Sequence, residues 1–147
     1  MKQFRFAVFL AVISVCIGSV AHADLESFLK KVNVQAQTDM KNYSIQLSAQ
    51  FGIPAAQVDL IVQQVTAPAD AFMVLQLGQM AGKPPEVVMQ TYQRSDGKGW
   101  GGLAKELGIQ PGSAAFHALK RGALSFTGQP GGATQEKGKG RGRGHDR

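Results

Sequence analysis

The pattern that most restricts the fold of this chain is a series of apolar stripes at helical spacing, separated by glycine and proline. Apolar residues recur at i, i+3, i+4 and i+7 within 25–32, 58–65 and 100–107, which places each set on one face of a helix. Gly52-Ile53-Pro54 and Gly82-Lys83-Pro84 lie between helical segments, where glycine favours the end of a helix and proline the start of the next. We therefore predict an all-α fold, a compact bundle of about five to seven short helices.

One segment is apolar nearly all round. Between residues 71 and 81 the only polar side chains are Gln76 and Gln79, and a short helix of this kind is a central core helix. The segment 25–51 leaves open whether it forms one helix or two, because Val32-Asn33-Val34 is a weak point in helix propensity.

The N-terminus has the layout of a secretory signal peptide. Lys2 and Arg5 precede an apolar run over 6–17, and Ala21-His22-Ala23 is an A-x-A cleavage site. The run is shorter than the roughly 20 residues of a spanning helix. We therefore predict cleavage after Ala23, a periplasmic or secreted protein, and no transmembrane segment in the mature chain.

Cys16 raises a competing possibility, lipid attachment at a lipoprotein-type site. Such sites need a small residue before the cysteine, and here that residue is Val15. Cleavage after Ala23 removes the one cysteine of the chain, so the mature protein has no disulfide, thiolate metal site or cysteine nucleophile.

The composition changes after Phe126. Residues 24–126 can form one modest helical domain. The segment 127–147 is rich in glycine, and glycine alternates with Lys and Arg over 137–144. Because such a segment buries too little apolar area to offset its ordering entropy, we predict a disordered tail.

Basic residues are concentrated in the C-terminal third. Residues 24–93 carry four basic and six acidic side chains, whereas 94–121 and 128–147 each carry five basic and two acidic ones. Cationic regions of this kind attract polyanions. We therefore predict an exported, non-enzymatic binding protein that associates electrostatically with an acidic envelope surface, either anionic lipid, lipopolysaccharide or another polyanion. The predicted contact residues are Lys98, Lys105, Lys120, Arg121, Lys137, Lys139, Arg141 and Arg143.

No motif predicts catalysis, a cofactor or a metal site. Gly97, Gly99 and Gly102 match G-x-G-x-x-G, but the preceding segment is helical and no acidic residue follows at the offset that a dinucleotide fold needs. This run is either a linker that lets Trp100 pack into the core, which we favour, or an anion-binding turn with Lys98 and free backbone N–H groups. His117 has no second ligand at helical spacing, so a metal site is not predicted.

Two interpretations of the helical domain remain as alternatives. The segment 103–119 has the spacing of a helix-turn-helix, but any tight helical corner needs that pattern and an exported protein has no operator to read, so sequence-specific DNA binding is not predicted. The second is a periplasmic protein-interaction or chaperone-like module, with a protein partner held on flexible methionines. Core packing is the ordinary alternative for these residues, which are Met40, Met73, Met80 and Met89.

A resemblance to a known family rests on the segment 97–120. It reads GKGWG, then AKELGI, PGS and FHALK, and a Gly/Lys-rich end follows. This block resembles an uncharacterised family of small exported proteins of Gram-negative bacteria. The resemblance implies export and a helical fold and supplies no catalytic residue. Gly102 stands where the family pattern has an apolar residue.

Overall fold

Seven helices form the described part of the chain. The structure, a computed structural model, describes residues 20–128, with side chains from Asp24 onward. No strand occurs in this range, and the predicted all-α bundle is confirmed. The predicted signal peptide lies outside the described residues, except for the helical backbone of 20–23, and so does the predicted tail beyond Gly128. The helices are α1 Val20–Thr38, α2 Met40–Phe51, α3 Ala55–Gln64, α4 Pro68–Ala81, α5 Pro85–Arg94, α6 Trp100–Glu106 and α7 Ala114–Lys120.

The segment 25–51 is two helices, and the break falls at Asp39. The carboxylate of Asp39 accepts a hydrogen bond from the backbone N–H of Asn42 at 3.0 Å and so caps α2. The weak point at Val32-Asn33-Val34 lies within α1. Tertiary contacts explain its helicity, because Val32 is fully buried and the Asn33 side chain accepts a hydrogen bond from the backbone N–H of Ala69 at 2.7 Å.

Helix α4 is the central helix, as its composition predicted. Eight of its residues are buried, and it packs against α1, α2, α3, α5 and α6. The predicted glycine and proline turns are present after α2 and after α4, since Gly52 and Gly82 end these helices in the left-handed region. Among the described residues no single helix is long and apolar enough to span a membrane; α3 and α4 reach that length and composition only as a pair bent by 119°.

The chain after α7 returns to the core. Phe126 is fully buried, with its ring centroid 5.4 Å from that of Tyr43 and 5.9 Å from that of Phe72. The Gln50 side chain donates to the carbonyl of Ser125 at 2.7 Å and accepts from the N–H of Thr127 at 3.0 Å. The segment 123–127 is therefore fixed across α2, and the packed part of the chain extends at least to Thr127.

Candidate anion-binding site

The candidate site is built on the corner between α6 and α7. Leu103, Ala104 and Leu107 bury the predicted apolar stripe, and Trp100 is half-buried at its start. Ser113 begins α7, because its hydroxyl accepts a hydrogen bond from the N–H of Phe116 at 3.1 Å. The predicted tight helical corner is therefore present, and its outer faces carry the basic residues of 98–121.

The structure pairs Lys98, one of the predicted contact residues, with a carboxylate. The Lys98 Nζ atom lies 3.3 Å from a carboxylate oxygen of Glu106, which is the one ion pair within the described residues. Both side chains are largely exposed, so the pair contributes little to stability. Its consequence is local, because Glu106 neutralises Lys98 and leaves Lys105 as the unpaired cation of α6.

Lys105 and Lys120 meet at one cavity. The cavity has a volume of about 530 Å³ and lies between α1, α6 and α7; we refer to it as the α1–α6–α7 cavity. The Lys105 Nζ atom is 5.9 Å from the centroid of the Phe116 ring, within the range of a cation–π contact. Lys105 is therefore placed above apolar surface. The lining residues are Leu25, Glu26, Leu29, Gly99, Trp100, Gly101, Gly102, Lys105, Phe116, Leu119 and Lys120.

Arg121 follows Lys120 at the end of α7 and is exposed. We call Lys105, Lys120 and Arg121 the cationic corner. The predicted contact residues Lys137, Lys139, Arg141 and Arg143 lie outside the described residues. Sequence reasoning missed the contribution of α1, which supplies Leu25, Glu26 and Leu29. Its i, i+4 leucine pair was readable as an apolar face, but the element that meets this face is distant in sequence.

The glycine run forms a turn in which two backbone N–H groups donate to backbone carbonyls. Asp96 and Gly97 have φ values of +33° and +76°, and the N–H of Lys98 donates to the carbonyl of Ser95 at 2.8 Å. The N–H of Gly102 donates to the carbonyl of Gly99, also at 2.8 Å. These two N–H groups are not available to an anion. Trp100 packs against the core, as the linker interpretation predicts.

Two of the other cavities in the described region are larger than or similar in size to the α1–α6–α7 cavity. One, of about 500 Å³, contains Asp70, Asp96 and a stacked Tyr92–Trp100 pair whose centroids are 5.6 Å apart. Its Asp70 carboxylate accepts hydrogen bonds from the Tyr92 hydroxyl and the Ala67 N–H, which is a structural role at the start of α4. The other, of about 880 Å³, lies between α1 and α2.

Burial shifts the pKa of one titratable side chain in the described range, that of Tyr43. No group of three or more His, Cys, Asp or Glu residues lies close enough there to hold a metal ion. His117 is exposed on α7. Burial raises the pKa of the Tyr43 hydroxyl well above its usual range, and the negative charge of Asp70 adds to this rise. Tyr43 is fully buried and donates to the carbonyl of Pro68 at 2.6 Å, so it stabilises the core.

The methionines do not form one surface. Met73 and Met89 are buried in the core, Met80 is partly buried, and Met40 is exposed. Ordinary core packing is therefore confirmed for Met73 and Met89. The protein-interaction alternative, which burial of all four methionines would have excluded, stays a prediction.

Comparison with known proteins does not assign the chain to a family. No protein-family model matches the chain, and no significant match is found among curated proteins or solved structures.

Proposed function

We propose that this protein is an exported, non-enzymatic binding protein that associates with an acidic envelope surface through its basic C-terminal third. The observation that carries the proposal is the position of the cationic corner. Lys105, Lys120 and Arg121 are exposed at α6 and at the end of α7, and Lys105 and Lys120 line the same cavity. Within the described residues none of these three cations is in an ion pair, and exposed cations on neighbouring helices favour a negatively charged partner.

The tail adds to the same charge. Lys137, Lys139, Arg141 and Arg143 follow the cationic corner in sequence. Each Lys or Arg near an anionic lipid surface contributes about 1 kcal/mol. The four tail residues therefore supply up to about 4 kcal/mol, and Lys105 and Lys120 together about 2 kcal/mol. Export to the periplasm, which the N-terminal signal pattern supports, would place the protein beside anionic lipid and lipopolysaccharide.

The test is binding of the chain beginning at Asp24 to vesicles that contain phosphatidylglycerol, over a range of salt concentrations. Binding should weaken steeply with salt and be absent on phosphatidylcholine vesicles, because exposed charges are screened beyond the Debye length of about 8 Å at physiological salt. Changing Lys105 and Lys120 to glutamine should weaken binding about thirtyfold, which corresponds to about 2 kcal/mol.

A matched control separates position from total charge. Lys41 and Lys83 are exposed on α2 and on the α4–α5 turn and do not line the α1–α6–α7 cavity. Changing both to glutamine removes the same charge, and binding should fall by less than about threefold. If both double variants lose the same amount of vesicle affinity, net charge and not the position of the cationic corner determines binding. Vesicle binding that does not respond to salt would refute the proposal.

A further inference from the structure

We propose that the α1–α6–α7 cavity binds a single acyl chain whose anionic head group lies between Lys105 and Lys120. The proposal rests on the proposed association with an acidic surface and names the part of the ligand that enters the protein. The occupant is a single-chain amphiphile with one negative charge, such as a fatty acid carboxylate.

The lining of the cavity is mostly apolar, and the cavity has the size of a small-molecule site. Its volume of about 530 Å³ lies within the range of about 300–1,000 Å³ that is typical of such sites. Leu25 and Leu29 of α1 form one wall and remain partly accessible. Trp100 of α6 and Phe116 of α7 also line the cavity. An acyl chain would remove this apolar surface from water, which is the main source of binding energy for such a ligand.

Glycines keep one wall of the cavity open. A Cβ atom at Gly99 would meet no other atom within 4 Å, and a Cβ atom at Gly101 would lie 3.9 Å from Cζ of Phe116. Packing therefore does not require glycine at either position. A side chain at Gly101 would instead enter the cavity, so its absence leaves space beside Trp100 that a ligand can fill.

The rim determines the charge of the head group. Lys105, Lys120 and Glu26 line the cavity and are exposed to solvent, so we place them at its rim. The charged side chains that line the cavity sum to one positive charge. This sum favours a monoanion over a neutral or cationic amphiphile. The same charges predict opposite effects for the two kinds of residue. Removal of the negative charge of Glu26 should strengthen anion binding, whereas removal of a lysine should weaken it.

Trp100 provides the assay, because it is the one tryptophan of the chain and lines the cavity. The chain beginning at Asp24 is titrated with decanoate, dodecanoate and tetradecanoate below their micelle concentrations, and Trp100 fluorescence is recorded. The Kd should fall about fourfold for each added methylene until the cavity is full. Dodecyltrimethylammonium and dodecyl maltoside should bind at least tenfold more weakly than dodecanoate. Equal affinity for the three head groups would overturn the proposal.

Charge variants test the rim independently of packing. Lys120→Gln should raise the Kd for dodecanoate about fivefold, and Glu26→Gln should lower it by a similar factor. Both residues are exposed, so neither change should unfold the protein, which thermal unfolding checks. Kd changes of the same sign for both variants would contradict the assigned head-group position.

A cavity-filling variant separates this proposal from the proposed function. Gly101→Leu should raise the Kd for dodecanoate more than tenfold, while salt-dependent binding of polyphosphate, which has no acyl chain, stays within twofold. Leucine also favours the helix more than glycine does, so α6 should remain folded. Unchanged dodecanoate binding by this variant would overturn the cavity assignment, whereas failure of the unaltered chain to bind vesicles and polyphosphate would overturn the proposed function alone. If the unaltered chain sediments as a dimer and Gly101→Leu as a monomer, the cavity is filled by a second copy of the chain, and the acyl-chain proposal is overturned.

Discussion

Replacement of Gly122 by alanine tests whether the end of α7 rests on the start of α1, next to Leu25, which lines the α1–α6–α7 cavity. Gly122 has φ of +62°, and a Cβ atom there would lie 2.5 Å from the carbonyl oxygen of Asp24 and 2.9 Å from the N atom of Leu25. Gly52 is a matched control, since its φ is +67° and its Cβ would meet nothing within 4 Å. Both substitutions place alanine in a left-handed backbone conformation, but only Gly122→Ala also brings a Cβ atom into contact with α1.

The expected magnitudes follow from these two terms. A left-handed conformation costs a non-glycine residue about 1–2 kcal/mol, so Gly52→Ala should lower the free energy of unfolding by that amount. At Gly122 the first turn of α1 must also move away. The half-buried Leu25 would then lose part of its packing, which adds about 1–2 kcal/mol.

Urea unfolding of the two variants measures the difference directly, provided that the m-values are equal. Gly122→Ala should be destabilised by about 2–4 kcal/mol in total. If the two variants agree within about 0.5 kcal/mol, the close approach of α7 to α1 does not contribute, and the wall formed by Leu25 and Leu29 is wrongly placed.

Three further substitutions test the core and the start of α4. Phe126→Ala should cost about 3–5 kcal/mol in urea unfolding because the ring is fully buried, whereas the exposed Val34→Ala should cost less than about 0.5 kcal/mol; similar losses would place Phe126 outside the core. Tyr43→Phe should cost about 0.5–1.5 kcal/mol at neutral pH through the lost hydrogen bond to Pro68. The pKa of Tyr43 is raised in the folded state, so the contribution of its hydroxyl to the free energy of unfolding is complete below about pH 10 and is lost as the pH rises further. The phenylalanine variant should therefore lose less stability above about pH 10 than the unaltered chain. An identical decline of the two proteins at alkaline pH would contradict the assignment. Asp70→Ala should cost about 1–2 kcal/mol through its lost bonds to Ala67 and Tyr92, and a change below about 0.3 kcal/mol would refute its capping role.

Local patterns in the sequence predicted most of the helices. The apolar stripe at 100–107 gave α6, and the nearly unbroken apolar segment at 71–81 gave the central position of α4. These features are local because a helix is specified by residues three and four apart. The start of α2 was also readable, since an aspartate at position 39 is a favoured N-cap, but the weak propensity near Val32 drew attention to the wrong place.

The candidate site was predicted less completely because it depends on contacts between distant segments. The sequence identified Lys105 and Lys120 as cations without indicating that they share a rim. Leu25 and Glu26 line the same cavity although they lie about 80 residues away from Lys105 in the sequence. The ion pair between Lys98 and Glu106 likewise spans a turn and the whole of α6, so residue spacing alone did not reveal it.

The most direct test of the proposed function is to record backbone amide NMR spectra of the chain beginning at Asp24, with and without lipid nanodiscs that contain phosphatidylglycerol. The account predicts shifts concentrated around Lys105, Lys120 and Arg121 and in the basic residues of 137–143, and their reversal by salt. Shifts centred on α3 and α5, or shifts that persist in high salt, would contradict the claim that the cationic corner and the tail meet an acidic surface.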